Sequence, residues 1–150
     1  MMIEYEEKYE TLDYSLEVEK FREKFNLEIP SEYVAFLSRY GAGLFPDPSF
    51  FCGWPVDIVY QFYGDNYGNE SAIDETETFI RNGRISKNIL VFASTADGHT
   101  TYCLILNGIL SGAVAAISDD NMILSEHYKE SDVGSDFIIA KGINEFFGGI

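Results

Sequence analysis

The chain has 150 residues, of which 46% are hydrophobic and 15% aromatic, a composition that favours one folded domain over a disordered chain. Its 25 acidic and 10 basic residues give a formal net charge of −15. A charge of this sign repels phosphate backbones, so we expect no direct binding of nucleic acid. The apolar runs are too short to span a membrane and the acidic start is unlike a secretory signal, which predicts a cytoplasmic protein without membrane contact.

The chain is predicted to begin with an acidic arm and a helix. Residues 1–14 have mixed charge, and we expect an acidic N-terminal arm that is frayed or partly helical. Ser15 can cap a helix that runs to about Asn26. The predicted inner face of this helix contains Leu16, Val18, Phe21 and Phe25. Its predicted outer face contains Glu17, Glu19, Arg22, Glu23 and Lys24.

A second, short helix has both of its ends marked in the sequence. Pro30 suits the first turn, because its φ is fixed and its missing N–H has no intrahelical acceptor to lose. An apolar stripe at helical spacing contains Tyr33, Phe36, Leu37 and Tyr40. Gly41 follows, where a left-handed residue can end the helix. A helix this short is unstable alone, so we expect its stripe to pack against a larger surface.

The central part of the chain is predicted to contain an aromatic loop, a strand and a third helix. Residues 44–55 hold three prolines, which favours an aromatic loop packed in the core over a helix or a central strand. Residues 56–63 alternate in polarity and predict a strand. The apolar face of that strand would contain Val56, Ile58, Tyr60 and Phe62. After a loop at 64–71, Asp74 can cap a helix, with Glu77 completing a capping box.

The next part of the chain is rich in β-forming residues. Residues 88–96 and 101–106 predict a hairpin around Asp97-Gly98, a dipeptide suited to a turn whose two central residues both have positive φ. Residues 112–118 predict a third strand of this group, and residues 122–127 a fourth.

Residues 138–150 are predicted to close the fold with a helix. Its apolar face would contain Ile139, Ile143, Phe146 and Phe147. Consecutive strands with tight turns pair antiparallel. The order of helices, antiparallel meander and closing helix therefore predicts a single α+β domain over residues 15–150.

Several segments together resemble the SUKH superfamily of SMI/KNR-like proteins. Residues 30–37 read Pro-x-x-Tyr-x-x-Phe-Leu before a Gly-rich stop, like the N-terminal motif of that superfamily. The hairpin at 84–106, the strand that starts at Gly112 and the final helix are similar to later motifs in the same order, although Gly142 and Ile143 replace the usual Ser-Phe. The resemblance implies N-terminal helices, a twisted antiparallel sheet and a C-terminal helix packed on it.

Candidate catalytic and metal-binding residues are few. Asp97, His99 and Cys103 supply an acid, an imidazole and a thiol, but the turn needs Asp97, and His99 and Cys103 stand apart along one strand. Cys52 and Cys103 fit no metal or redox spacing, so we expect two reduced thiols. The acidic loop at 65–70 lacks the rest of a calcium-binding pattern. We therefore expect no enzymatic activity, no metal and no cofactor.

Acidic and aromatic residues instead suggest a surface for binding protein. Residues 98–118 contain no charged side chain, and the acids lie on either side of this stretch. The residues predicted to bind a partner are Tyr63, Asp65, Tyr67, Glu70, Asp74, Glu75, Glu77, Asp119 and Asp120. The alternative is that the tyrosines cover the sheet edge and that Tyr60 belongs to the core. An uncharged sheet edge would also permit a homodimer.

The SUKH resemblance turns these observations into two functional hypotheses. Many members are bacterial immunity proteins, which implies that this acidic chain neutralises a cognate basic protein toxin, such as a nuclease, by direct contact. The superfamily also includes a fungal regulator of cell-wall synthesis, which implies instead a regulatory scaffold that binds other cellular proteins. A sensor that binds a small molecule or peptide through the aromatic loop is a third hypothesis.

Overall fold

The computed structural model describes residues 3–9, 14–61, 71–82, 85, 87–118 and 138–148. The helices are α1 (Tyr14–Phe25), α2 (Ser31–Tyr40), α3 (Ala72–Arg81) and α4 (Ile143–Phe146). The strands are β1 (Glu7–Lys8), β2 (Gly43–Leu44), β3 (Phe50–Phe51), β4 (Trp54–Pro55), β5 (Ile58–Val59), β6 (Ile89–Ser94), β7 (Thr100–Ile105), β8 (Val114–Ser118) and β9 (Ile138–Ala140). None of these helices is long and apolar enough to cross a bilayer.

Seven strands form one antiparallel sheet in the order β1-β2-β5-β6-β7-β8-β9. Strands β3 and β4 form a separate hairpin. Every residue of the two long central strands, β6 and β7, is buried, as expected for strands that are covered on both faces. This arrangement of helices and antiparallel sheet confirms the predicted α+β class.

Aromatic rings join the helices and the small hairpin to the sheet. Phe36 of α2 stacks on Phe147, which follows α4, with ring centroids 4.5 Å apart. Phe51 of the hairpin meets Phe147 edge to face at 4.9 Å, and Phe92 of β6 meets Phe146 in the same way at 6.0 Å. These contacts place α2, α4 and the hairpin over the same part of the sheet, so the core is a single body.

The bounds and the apolar stripe predicted for α2 are confirmed. Pro30 precedes its first residue, and Gly41 at its end has φ 74° and donates its N–H to the Leu37 carbonyl over 2.8 Å. Tyr33, Phe36 and Leu37 are buried. Because Gly41 has a positive φ, which glycine adopts readily, the chain can turn out of the helix and enter β2.

The predicted faces of α1 are confirmed except at two residues of the first turn, Leu16 and Glu17. Phe21 is buried, and Val18 and Phe25 pack partly buried against the core. The residues of the predicted outer face that are exposed are Glu19, Arg22, Glu23 and Lys24. The helix begins at Tyr14, so Ser15 lies within its first turn. Leu16 is 53% exposed, whereas Glu17 is 8% exposed and lies on the same side as the buried Tyr14 and Phe21. The large rings of Tyr14 and Phe21 bury more apolar area than Leu16 can, so they set the rotation of the helix. Glu17 is carried into the interior, and its Oε2 has no hydrogen-bond partner among the described residues.

The described part of the N-terminal arm, residues 3–9, contains a short strand and no helix, unlike the predicted frayed or partly helical arm. Strand β1 pairs antiparallel with β2, and the Glu6 and Tyr9 amides donate to the carbonyls of Leu44 and Ala42. The Tyr5 ring stacks on Phe45 at 4.8 Å, and its hydroxyl donates to the Gly41 carbonyl. Burial of this hydroxyl raises the pKa of Tyr5. These contacts make residues 3–9 part of the domain.

The aromatic segment that was predicted as a loop contains the β3–β4 hairpin. Phe45 and Phe51 are core residues, as expected, but Phe50 is 58% exposed. Within residues 56–61 the predicted strand is also shorter, since β5 has two residues and the buried side chains around it do not alternate. Phe62 and Tyr63 lie outside the described residues. A strand of two residues imposes no alternation beyond its own length.

The caps of α3 and the extent of the last helix differ from prediction. Ser71 is the residue that caps α3, and its hydroxyl accepts the Asp74 amide, so Asp74 lies inside the helix. Ile139, which was assigned to the C-terminal helix, lies in β9, and α4 has only four residues. Gly142 precedes α4, and its backbone lies close to the Glu32 carboxylate, since a Cβ there would be 2.9 Å from a carboxylate oxygen. Glu32 uses its Oε1 to accept the Asn144 amide over 2.6 Å.

The hairpin between β6 and β7 is present, but its turn is not the predicted type. Gly98 has φ 73° and donates to the Thr95 carbonyl, whereas Asp97 is not among the residues with positive φ. Five residues, 95–99, connect the two strands, and within this connection the Asp97 side chain accepts the His99 backbone amide. The fourth strand expected at residues 122–127 lies outside the described residues.

Candidate functional site

An acidic cleft lies beside the turn between β6 and β7. Two cavities of about 350 Å³ and 260 Å³ adjoin there and share Asp47, Asp57 and Asp97. Glu6 lines the larger cavity, and Phe50 and His99 line the smaller one. None of the described residues that line this acidic cleft is a lysine or an arginine. Four carboxylates from four separate segments of the chain therefore meet at one concave surface.

Asp57 connects the two walls of the acidic cleft. It stands next to β5, and its Oδ2 accepts the Ala96 amide over 2.7 Å. The Asp57 amide in turn donates to the Ser94 carbonyl, and its carbonyl accepts the Phe45 amide. These bonds hold the β6–β7 turn against β5 and keep the Asp57 carboxylate at the base of that turn. A carboxylate held by backbone amides needs no further ordering when a partner arrives.

Asp97 is held by the turn that contains it. Its Oδ1 accepts the His99 amide over 2.9 Å and the Thr95 hydroxyl over 2.7 Å. The His99 amide and then the Thr95 hydroxyl lower the pKa of Asp97, because both donate to the ionised form. Asp97 therefore stays ionised and keeps one orientation at the rim of the acidic cleft.

The hairpin that carries Phe50 is tied to the sheet at its other end. The Tyr102 hydroxyl of β7 donates to the Pro55 carbonyl of β4. Burial, and then the nearby charge of Asp57, raise the pKa of Tyr102. Trp54 meets the Tyr102 ring edge to face at 6.2 Å. The walls of the acidic cleft thus come from Glu6 just before β1, from β2, from the β3–β4 hairpin, from β5 and from the β6–β7 turn.

Comparison with known protein families matches residues 15–147 to the SMI1-KNR4 cell-wall family of the SUKH superfamily. The matched part covers most of the chain and includes every described element after β1 except Tyr14, the first residue of α1. This chain belongs to the SMI1-KNR4 family. No curated protein and no solved structure matches it.

The acidic residues that sequence predicted for partner binding are only partly within the described part of this SUKH protein. Asp74 is exposed on α3, Glu75 is half-buried, and Glu77 forms an ion pair with Lys24 of α1. The pair with Lys24 makes Glu77 part of the contact between α1 and α3. The predicted residues outside the described part of the chain are Tyr63, Asp65, Tyr67, Glu70, Asp119 and Asp120.

The structure does not bring α3 to the acidic cleft, and it adds residues that the sequence reasoning missed. Glu6, Asp47 and Asp57 are not among the site residues predicted from sequence, because Asp47 and Asp57 are single acids in their segments and Glu6 is one of several acids in the N-terminal arm. The segment Pro-Asp-Pro at residues 46–48 was the available signal, since an acid between two prolines cannot be part of a regular helix. Tyr60 is buried, and its hydroxyl shares a hydrogen bond of 2.7 Å with Ser94, so it belongs to the core.

The candidate catalytic set of this SUKH protein is not assembled. Cys103 is fully buried in β7, whereas Asp97 and His99 are exposed at the turn. Asp97 bonds the His99 backbone amide and so acts as a turn residue. Cys52 is exposed and Cys103 buried, and no disulfide joins them. Across the described residues no group of three or more His, Cys, Asp or Glu is placed to hold a metal ion.

A second concave surface lies between α1 and α2. It has a volume of about 550 Å³ and an aliphatic floor that contains Val18, Ile29 and Val34. At its rim the Arg22 guanidinium pairs with Glu28 on one side and Glu19 on the other, at 2.8 Å and 2.6 Å. The rim therefore has one cation between two carboxylates, whereas no described lysine or arginine lines the acidic cleft.

Proposed function

We propose that this SUKH protein is a non-enzymatic immunity protein of the cytoplasm, which neutralises a basic protein toxin by direct contact. The observation that carries the proposal is the acidic cleft, where Glu6, Asp47, Asp57 and Asp97 face one depression that no described lysine or arginine lines. A concave surface with one sign of charge concentrates its field and attracts a partner of the opposite sign. Nucleases are basic because they bind phosphate backbones, so such a toxin would fit.

The net charge of −15 supports the same proposal at longer range. An acidic protein accelerates its encounter with a basic partner, and fast association suits an inhibitor that must act before its toxin does. The exposed Asp74 and the half-buried Glu75 of α3 are proposed as outer contacts, together with the six predicted residues outside the described part of the chain.

Co-expression with the toxin gene that neighbours its own gene tests the proposal. Cells that carry both genes should grow, and cells with the toxin alone should die. Glu6→Gln with Asp47→Asn should weaken protection, because these exposed residues lose two charges of the acidic cleft without a described hydrogen bond being removed. Glu4→Gln with Glu23→Gln removes two exposed charges elsewhere and is the matched control.

The outcomes separate the proposal from its competitors. Equal death with and without this protein would refute the immunity function. Equal protection by the two double variants would leave the function in place but remove the acidic cleft from it.

The second candidate is a regulatory scaffold that binds other cellular proteins, and the description of the matched family as cell-wall favours it. An affinity purification of the tagged chain that returns cell-wall synthesis proteins, with no effect on any toxin, would support this candidate over the first.

A further inference from the structure

Phe50 is an exposed aromatic residue among buried ones. It is 58% exposed, whereas its neighbour Phe51 is 7% exposed and Phe45, before the hairpin, is 5% exposed. A phenyl ring left in water gives up the favourable free energy that its burial would contribute. Since the two neighbouring rings reach the core, the position of Phe50 is set by the alternation of β3, which sends one ring inward and the next outward.

The hairpin holds Phe50 in one place. Its turn is made by Cys52 and Gly53, both with positive φ, at 51° and 80°, a geometry that matches the twist of two paired strands. Cys52 Sγ donates to the Glu145 carbonyl over 3.1 Å, and Phe51 packs on Phe147. Phe50 itself pairs with Pro55, whose carbonyl is bonded by Tyr102. The exposed ring is therefore presented by a braced scaffold, which lowers the entropic cost of using it as a contact.

The same cavity that Phe50 lines also contains Asp47, Asp57 and Asp97. A side chain that satisfies both an aromatic face and carboxylates must be cationic and must have a flat or aliphatic surface. Arginine has both, because its planar guanidinium stacks on aromatic rings and bonds carboxylates through paired N–H groups. Lysine offers a point charge that is more strongly hydrated and stacks less well.

We propose that Phe50 is the aromatic anchor of the acidic cleft and receives an arginine side chain of the basic partner. The guanidinium lies over the ring and donates to the carboxylates beside it. This inference rests on the proposed function, since it names the group of the partner that the acidic cleft recognises. Charge complementarity selects the cation, and the exposed ring selects arginine over lysine.

A titration with short peptides tests the anchor on the intact protein. The probes are acetyl-Gly-Arg-Gly-amide and its counterparts with lysine and with citrulline, which keeps the planar shape without the charge. We expect the arginine peptide to shift the backbone amide signals of Phe50, Asp97 and His99 in a two-dimensional NMR spectrum. The lysine peptide should bind more weakly than the arginine peptide by a factor of about three or more. The citrulline peptide should give no saturable shift.

Substitutions identify the ring as the source of the preference. Phe50→Ala should weaken binding of the arginine peptide about fivefold and remove its advantage over the lysine peptide. Phe50→Leu should have the same effect, because leucine keeps an apolar surface but lacks the aromatic ring. Ile109→Ala is the control, since Ile109 is 93% exposed and lies outside the acidic cleft. Unchanged spectra elsewhere show that each variant is folded.

The anchor is overturned if the Phe50→Ala or Phe50→Leu variant binds the arginine peptide as tightly as the unaltered protein does. It is also overturned if the amide signals that the peptide shifts belong to residues away from the acidic cleft. Cell protection is a separate measurement. A chain that binds the peptide through Phe50 but does not protect cells supports the anchor and contradicts the proposed function. A Phe50→Ala variant that protects cells fully overturns the anchor and leaves the proposed function intact.

Discussion

Gly43 permits the close approach of β1 to β2 at the wall of the acidic cleft. A Cβ at this position would lie 2.2 Å from the Glu7 carbonyl oxygen and 3.0 Å from the Lys8 Cα. Both are backbone atoms, which cannot rotate away as a side chain can. The residue is required for its small size, since the strand has no room for a side chain.

Gly43→Ala should therefore detach β1 and destabilise the protein by about 2 kcal/mol, because the added methyl overpacks a strand contact. Hydrogen exchange measures this locally. The Glu6 and Tyr9 amides, which donate to β2 and the residue before it, should lose protection. Amides of β6 and β7 should keep theirs and serve as the internal control. Retained protection at Glu6 and Tyr9 would show that the strand tolerates the methyl.

The hydrogen bonds to Asp97 predict a pH dependence. Because the pKa of Asp97 is lowered in the folded protein, its ionised form stabilises the turn at every pH above the ordinary range of a carboxyl. That contribution is lost as the pH falls through the lowered pKa of the folded state. An NMR titration of the Asp97 carboxyl should show the low pKa, and Thr95→Val should raise it by removing one donor. Thr78→Val, on the exposed face of α3, should leave the titration unchanged.

At the scale of elements, α3 begins at a cap that only the structure identifies. The Ser71 hydroxyl accepts the Asp74 amide over 3.2 Å, and the Ala72 amide donates to the Gln61 carbonyl. The middle of the helix is fixed to the sheet by Thr76, whose hydroxyl accepts the Val91 amide of β6. The Ser71 cap and the Thr76 bond set where α3 starts and how it lies beside β6.

Ser71→Ala should destabilise the protein by about 1 kcal/mol, the usual cost of losing a side-chain cap. Asp74→Ala should cost less, about 0.5 kcal/mol, since Asp74 contributes only its charge near the positive end of the helix. Urea denaturation of both variants measures the difference. The opposite ranking would mean that Asp74 is the cap, as the sequence pattern predicted.

The helices show where sequence periodicity is enough to predict the bounds and the buried face of an element. Helix α2 is delimited by Pro30 and Gly41, two residues whose backbone preferences act locally, and its prediction is confirmed. Helix α1 lacks such markers, and its rotation follows the packing of Tyr14 and Phe21, so Leu16 was wrongly placed inside. The last helix is shortened because Ile138–Ala140 pairs with β8, a contact between distant segments.

The whole molecule carries a large uncompensated charge. With a net charge of −15, exposed acids repel one another in the folded state more than in the expanded chain. At physiological ionic strength, salt screens the repulsion between charges that are more than about 8–10 Å apart. The folded protein should therefore gain stability as salt is added.

Raising NaCl from about 0.02 M to 0.5 M should increase the melting temperature by about 2–4 °C, which corresponds to roughly 1 kcal/mol for a chain of this size. Calorimetry or circular dichroism measures the shift. An equal osmolality of sorbitol controls for solute exclusion from the surface. A melting temperature that falls with salt would mean that attractive ion pairs outweigh the repulsion.

The sequence alone determined the α+β class, the SUKH family and the bounds of α2, because these depend on local residue preferences and on the order of motifs along the chain. Only the tertiary structure assembled the acidic cleft, since Glu6, Asp47, Asp57 and Asp97 are far apart in sequence and each is unremarkable where it stands. Their meeting depends on strand pairing, on the Asp57 bond to the Ala96 amide and on the bracing of the β3–β4 hairpin. Such contacts join distant segments, so no window of neighbouring residues encodes them.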